Sequence, residues 1–406
     1  MTVHHPAGIR AFRNPRAAAP AAAYAEAHQR ILNDAGFTSA FQEIRRWPGY
    51  APTPLQGLPA LAGRLGVAAV TCKDESGRFG LKSFKALGGA YAVLRLLQAT
   101  IAAKNDGRPV ASRELVAGAY KALAAAVTVT CATDGNHGRS VAWGAQLFGC
   151  RCVIFVHEKV SEGRCEAIAR YGAEVIRVQG NYDDSVRHAA AVALQNGWTV
   201  ISDTSYDGYR DIPIDVMHGY GVMAREVIAQ MTEGPPTHVF VQAGVGGLAA
   251  ALCAAFWIAW GKARPQLLLV EPLQADCYFQ SGAAGHPVTV TGALDTVMAG
   301  LACGEVSPLA WAILDAGASA YVAIDDAFAL DAVRVLARPD GDDPAIVAGE
   351  TGAAGLAALL AAHADNEVLR TLGLDTASRV LLIGSEGDTD PEIYRQILAD
   401  AAVAPT

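Results

Sequence analysis

Short β-branched runs separated by longer helical patterns recur along this chain, and that alternation restricts it to βαβ units built on parallel sheets. Strands are predicted over residues 127–131, 152–156, 174–178, 200–202, 239–242, 267–270, 321–324 and 380–383. Helical patterns fill the gaps over 85–103, 139–148, 165–171, 182–196, 216–231, 247–260, 326–336 and 352–362, several preceded by a Ser, Asp or Asn suited to an N-cap. A parallel sheet covered on both faces needs a large apolar supply. Hydrophobic residues make up 52% of the 406 residues against 18% charged, so the expected class is α/β. Polar, Gly-containing connections near 104–108 and 202–211 bracket three consecutive strand-helix repeats. Residues 105–200 are therefore expected to form a small domain inserted into a large one made of 1–104 and 201–406.

Charge and apolar run length exclude several partners. Lys and Arg number 32 against 40 Asp and Glu, a net charge of −8 without a basic stripe, so no nucleic acid is expected to bind. Apolar stretches such as 247–260 are shorter than the roughly 20 residues that cross a bilayer, and no membrane span is expected. The Ala-rich segment 17–23 contains Pro20 and lacks the large aliphatics of a signal peptide, which points to a cytoplasmic protein. The eight cysteines form no CxxC pair, and Cys150 and Cys152 are too close for ordinary disulfide or zinc spacing. Reduced thiols are expected, Cys277 and Cys303 included. His4, His5 and His137 show no metal-ligand spacing, so no metal is expected.

Loops at the carboxyl ends of parallel strands are where α/β proteins place their ligands. Lys85 opens an apolar helix after Ser83-Phe84. There the helix dipole and a low dielectric disfavour an ammonium, leaving an amine able to form a Schiff base. By itself Lys85 also reads as a solvated surface lysine. Thr133-Asp134-Gly135-Asn136-His137-Gly138 follows a strand, with Asp134 a candidate base and Asn136 a neutral donor, or else an Asx turn capping a helix. Asp203, after the strand 200–202, is a second strand-end acid with the same two readings. Ser385 offers a hydroxyl beside a glycine turn. In Gly244-Val245-Gly246-Gly247-Leu248 the backbone amides suit a phosphate. Gly244, Gly246 and Ala249 also satisfy the dinucleotide fingerprint, with Glu271 placed as a ribose-binding acid, so a nicotinamide dehydrogenase is a rival reading.

Taken in order, from Pro48 through Tyr50-Ala51-Pro52-Thr53-Pro54-Leu55 and these segments to Asp388-Thr389-Asp390-Pro391-Glu392, the chain resembles the fold type II pyridoxal 5′-phosphate (PLP) enzymes, the tryptophan synthase β family. Within it the similarity is to the ammonia-lyases of 2,3-diaminopropionate. The resemblance implies two open parallel-sheet α/β domains with the cofactor in the cleft between them. It implies Lys85 as the covalent cofactor lysine, Asn136 bonding the ring hydroxyl oxygen, Gly244, Val245, Gly246, Gly247 and Leu248 holding the phosphate, and Ser385 meeting the pyridine nitrogen with a neutral hydroxyl. It further implies a homodimer, a small amino-acid substrate, and elimination of both enantiomers of 2,3-diaminopropionate to pyruvate and two ammonia, with Asp134 and Asp203 as paired acids. Serine and threonine dehydratases of this fold usually carry Ser or Ala where this chain has Asp134, so the aspartate favours the diamino acid, whose extra ammonium a carboxylate can pair. A serine or threonine dehydratase is the alternative on the same scaffold. Glu350, in Gly349-Glu350-Thr351-Gly352, falls near the cofactor in this family and reads equally as an acid complementing a helix N-terminus.

Overall fold

The computed structural model describes residues 3–4, 8–133, 135–180 and 182–400. Among the described residues the strands, in chain order, are β1 (Val3–His4), β2 (Ile9–Arg13), β3 (Leu55–Gly57), β4 (Ala69–Asp74), β5 (Thr128–Ala132), β6 (Arg151–His157), β7 (Glu174–Val178), β8 (Thr199–Val200), β9 (His238–Gln242), β10 (Gln266–Pro272), β11 (Ala320–Ile324) and β12 (Arg379–Gly384). The chain forms two compact units. One comprises Met1–Asp34, Pro52–Gly77 and Met223–Thr406, the other Ala35–Ala51 and Arg78–Val222.

The first unit holds an eight-stranded sheet in the order β1-β2-β11-β10-β9-β12-β4-β3. Its five central strands run parallel, while β2 with β1 closes one edge and β3 the other in antiparallel pairing. The central strands are buried on both faces, so β9 to β12 are near-continuous apolar runs and are plain in the sequence. β4 is absent from the predicted strands because Lys73 and Asp74 break its apolar run. Lys73 is nonetheless fully buried, and its ammonium donates to Glu226 Oε2 at 2.7 Å, the Thr53 carbonyl at 2.7 Å and Gln230 Oε1 at 2.9 Å. Only a partner set of that kind makes a buried lysine tolerable.

The second unit is built on an all-parallel sheet, β7-β6-β5-β8, whose strands all lie within 105–200. The compact unit reaches further than that segment in both directions. The reason is the helix Lys85–Ala103, which packs along the helix Asn136–Phe148 through small residues. A Cβ added at Gly144 would lie 2.7 Å from Ala90 Cα, so the glycine lets the two backbones approach. The helix Lys85–Ala103 is long and apolar enough, by length and composition, to cross a bilayer, which the apolar run lengths do not anticipate. Its Leu87, Val93, Leu94, Leu97 and Ile101 have no exposed surface, so here its apolarity serves the core of a folded unit.

The same unit buries His218 on the helix Asp211–Gln230, edge-on to Phe37 at 5.4 Å between ring centroids. Burial first, and the Arg95 charge second, lower its pKa to about 4. An unfolded histidine takes up its proton near 6.5, so the neutral folded form contributes fully above that pH. That contribution, on the order of 3 kcal/mol, is lost as pH falls from 6.5 toward 4. His218→Phe is expected to flatten the fall in melting temperature across that window. An unchanged slope would show that His218 does not set it.

Candidate active site

In the second unit β5 leads to β6 and β7 on one side while β8 lies on the other, so the winding diverges between β5 and β8. Divergence of that kind leaves a crevice at the carboxyl ends of the strands. After β5, Thr133 Oγ1 accepts from the Gly135 and Gly138 amides, both at 3.1 Å, and turns the chain into the helix Asn136–Phe148. Asp134 lies outside the described residues. Asn136 Oδ1 accepts from Arg139 Nη2 at 2.7 Å, which assigns its oxygen to the arginine and leaves donation to its NH2.

Beyond β8, the Ile201 amide donates to the Thr130 carbonyl at 2.7 Å, and Asp203 follows two residues later. The Asp203 carboxylate forms an ion pair with Lys85 Nζ. His137 lies on the other side of the same oxygen, its Nδ1 3.8 Å from Asp203 Oδ2. Its Nε2 is 2.8 Å from the Ile201 carbonyl, a geometry in which the Nε2–H donates and Nδ1 carries the lone pair. Lys85 is fixed through its backbone. Its carbonyl accepts from Ser140 Oγ at 2.6 Å, and Ser140 Oγ in turn accepts from the Ala90 amide at 3.2 Å.

The charge state around Lys85 differs from the sequence expectation. A helix start by itself disfavours the ammonium, but a carboxylate in contact with it favours the charged form. Burial pushes the Asp203 carboxyl up; the Lys85 ammonium and then His137 outweigh that, and hold it well below the usual carboxylate range. Burial pushes His137 down, against the pull of Asp203, so this imidazole is neutral near pH 7. The rings of Phe84 and Tyr220 stand 5.4 and 5.9 Å from Lys85 Nζ and supply an apolar wall.

In the first unit the winding diverges between neighbouring β9 and β12, and the loops after these two strands carry the remaining candidates. Gly244 to Leu248 leave β9 and enter the helix Gly247–Trp260, whose first amides have no partner within the helix. Gly246 has φ +94°, and a Cβ there would collide with the Tyr278 hydroxyl. At Gly244 a Cβ would come to 2.9 Å from the Gly300 carbonyl oxygen. Neither position admits a side chain, and a glycine-rich turn leading into a helix N-terminus is the kind of backbone that can take a phosphate. Ser385, fully buried after β12, accepts from Gln242 Nε2 at 2.8 Å, so its own proton is available to donate. Glu350 sits half-buried in the turn before the helix Ala354–His363.

The dinucleotide reading fails on Glu271. Its Oε1 accepts from the Tyr278 amide and its Oε2 from the Phe279 amide, each at 2.7 Å, so both oxygens of the supposed ribose acid are occupied inside the protein. Gln242, Arg139, Ser140 and Tyr278, which hold the candidate groups, are not among the residues singled out from the sequence. Gln242, Ser140 and Tyr278 act through contacts to elements distant in the chain, while Arg139 reaches Asn136 three positions back on its own helix, and none belongs to a motif of its own.

A lysine paired with a carboxylate in one unit, and in the other a glycine-rich loop entering a helix and a buried hydroxyl, are groups of the kind a PLP-dependent enzyme uses. Residues 46–373 match the family described as "Pyridoxal-phosphate dependent enzyme". The diaminopropionate ammonia-lyase of Escherichia coli (strain K12) is 42% identical over 364 residues, 88% of this chain and 90% of that protein. The holo crystal structure of the Escherichia coli enzyme has a TM-score of 0.87 at 38% identity, covering 96% of each chain. Its complex with an aminoacrylate-PLP azomethine reaction intermediate has a TM-score of 0.85 at 37% identity, covering 96% of this chain and 97% of that one. The chain belongs to the fold type II PLP-dependent enzymes, in the diaminopropionate ammonia-lyase family.

Proposed function

We propose that this protein catalyses the PLP-dependent α,β-elimination of D- and L-2,3-diaminopropionate, releasing one ammonia and aminoacrylate, which water hydrolyses to pyruvate and a second ammonia. The observation that carries the reading is the Asp203 carboxylate paired with Lys85 and backed by His137, in a chain that carries a further acid at Asp134. When bound, PLP supplies the electron sink that lets an amino acid lose its α-proton and a β-substituent.

The chain's own groups do the rest. Lys85 carries the cofactor covalently when no substrate is present. Asn136 donates its NH2 to the ring hydroxyl oxygen, residues 244–248 offer backbone amides to the phosphate, and Ser385 gives a neutral hydroxyl to the ring nitrogen. Proton transfer is needed twice. One group removes the α-proton, and one protonates the departing β-amine, because an amide anion is not a viable leaving group. Asp203 and Lys85, in contact, can pass a proton between Oδ2 and Nζ. Asp134 serves the opposite face, and each carboxylate can pair the second ammonium of the substrate. A homodimer acting in the cytoplasm is part of the same proposal.

The test is pyruvate and ammonia release by the purified protein with added PLP, from D- and L-2,3-diaminopropionate, L-serine and L-threonine. The expected result is two ammonia per pyruvate from diaminopropionate and little product from serine. Dominant activity on serine or threonine would overturn the substrate assignment and make the enzyme a dehydratase.

A further inference from the structure

Elimination makes no use of Glu271, yet this fully buried acid stands at the root of a chain of contacts that ends on the glycine loop. Its two oxygens each take one amide, from Tyr278 and Phe279, and the Cys277 thiol lies 3.5 Å from Oε1. These amides belong to the first turn of the helix Cys277–Ala284, where no intrahelical acceptor exists. The carboxyl therefore clamps that turn in one position. The clamped turn carries Tyr278, itself without exposed surface, and the Tyr278 hydroxyl donates to the Val245 carbonyl at 3.1 Å. The Ser307 amide donates to the same carbonyl at 3.0 Å, so two donors fix its direction.

In a planar trans peptide the carbonyl and the following N–H point in opposite directions. Tying back the Val245 oxygen thus aims the Gly246 N–H the other way. The tether matters because Gly246 has no Cβ to resist rotation of that peptide, and a rotated peptide would present a carbonyl oxygen to an anion.

We propose that Glu271 and Tyr278 are positioning residues for the anion loop, holding the Val245–Gly246 peptide in the orientation that turns its N–H toward a phosphate monoester. The inference rests on the reading that residues 244–248 bind the cofactor phosphate. Tyr278→Phe keeps the ring and removes only the hydroxyl. Glu271→Gln keeps the shape and sets an NH2 against a backbone N–H.

The test strips the full-length holoenzyme of cofactor and titrates it with PLP and, separately, with pyridoxal, which lacks the phosphate. Tyr278→Phe is expected to weaken PLP binding by up to about tenfold, the worth of one ordinary hydrogen bond, with pyridoxal affinity unchanged. Glu271→Gln is expected to shift PLP affinity in the same direction. Unchanged PLP affinity in Tyr278→Phe would overturn the proposal, and so would equal losses for PLP and pyridoxal, which indicate general loosening. A wild-type protein that binds pyridoxal as tightly as PLP would instead remove the phosphate assignment of the loop, on which the proposal stands.

Discussion

Replacing Lys85 by alanine is expected to remove covalent cofactor attachment and to lower turnover by about 10³-fold or more, within the range that losing a positioned proton carrier alone costs. Lys85 is assigned two duties, as the amine that anchors the cofactor and as one end of the proton pair with Asp203. Its loss also strands the Asp203 carboxylate beside a neutral imidazole. Burial raises the Asp203 pKa and the Lys85 ammonium is the first influence that lowers it, so the variant's Asp203 titrates higher. Borohydride treatment followed by mass measurement checks the first duty. The wild-type chain should gain a reduced pyridoxyl group and Lys85→Ala should not. A variant that still traps the cofactor on another lysine would end the assignment.

Substituting the two acids should split the enantiomers. Asp203→Asn is expected to lower turnover of one enantiomer of 2,3-diaminopropionate by about 10² to 10⁴, and Asp134→Asn that of the other, the usual cost of removing a general acid or base. The isosteric amide keeps a polar group beside Lys85 and His137 but cannot exchange the proton. Equal losses on both enantiomers would show that the acids do not divide the two faces. The Asp203 variant has a second signature. In the wild type the folded pKa of Asp203 lies below that of an unfolded aspartate, so its contribution to stability is full above the unfolded value near 4 and is lost as pH falls toward the folded one. The stability gap between wild type and Asp203→Asn should therefore narrow in acid.

Much of the architecture was legible because its causes are local. β9 to β12 are apolar runs of strand length, and the helices Lys85–Ala103, Tyr182–Asn196 and Gly247–Trp260 begin and end where their patterns do. Two of the elements that escaped notice have residues that contradict their surroundings until partners arrive. β4 carries a buried lysine whose acceptors come from Glu226 and Gln230, more than 150 positions away. The helix Cys277–Ala284 is short and mixed in polarity, and it owes its first turn to Glu271 on β10.

The same division runs through the candidate site. Residue type and spacing along the chain carry the α/β class, Lys85 at the start of an apolar helix, the strand-end positions of Asn136, Asp203, Ser385 and residues 244–248, and the resemblance that orders them. Which groups touch is set by the tertiary structure: Asp203 on the Lys85 amine, His137 beside that carboxylate, Gln242 on Ser385, and Glu271 turned inward to cap a helix and not outward toward a ribose. An ion pair or a hydrogen bond depends on separation in space and on exclusion of water, and only the packed fold sets either, whether the partners are 143 positions apart, as Gln242 and Ser385 are, or seven, as Glu271 and Tyr278 are.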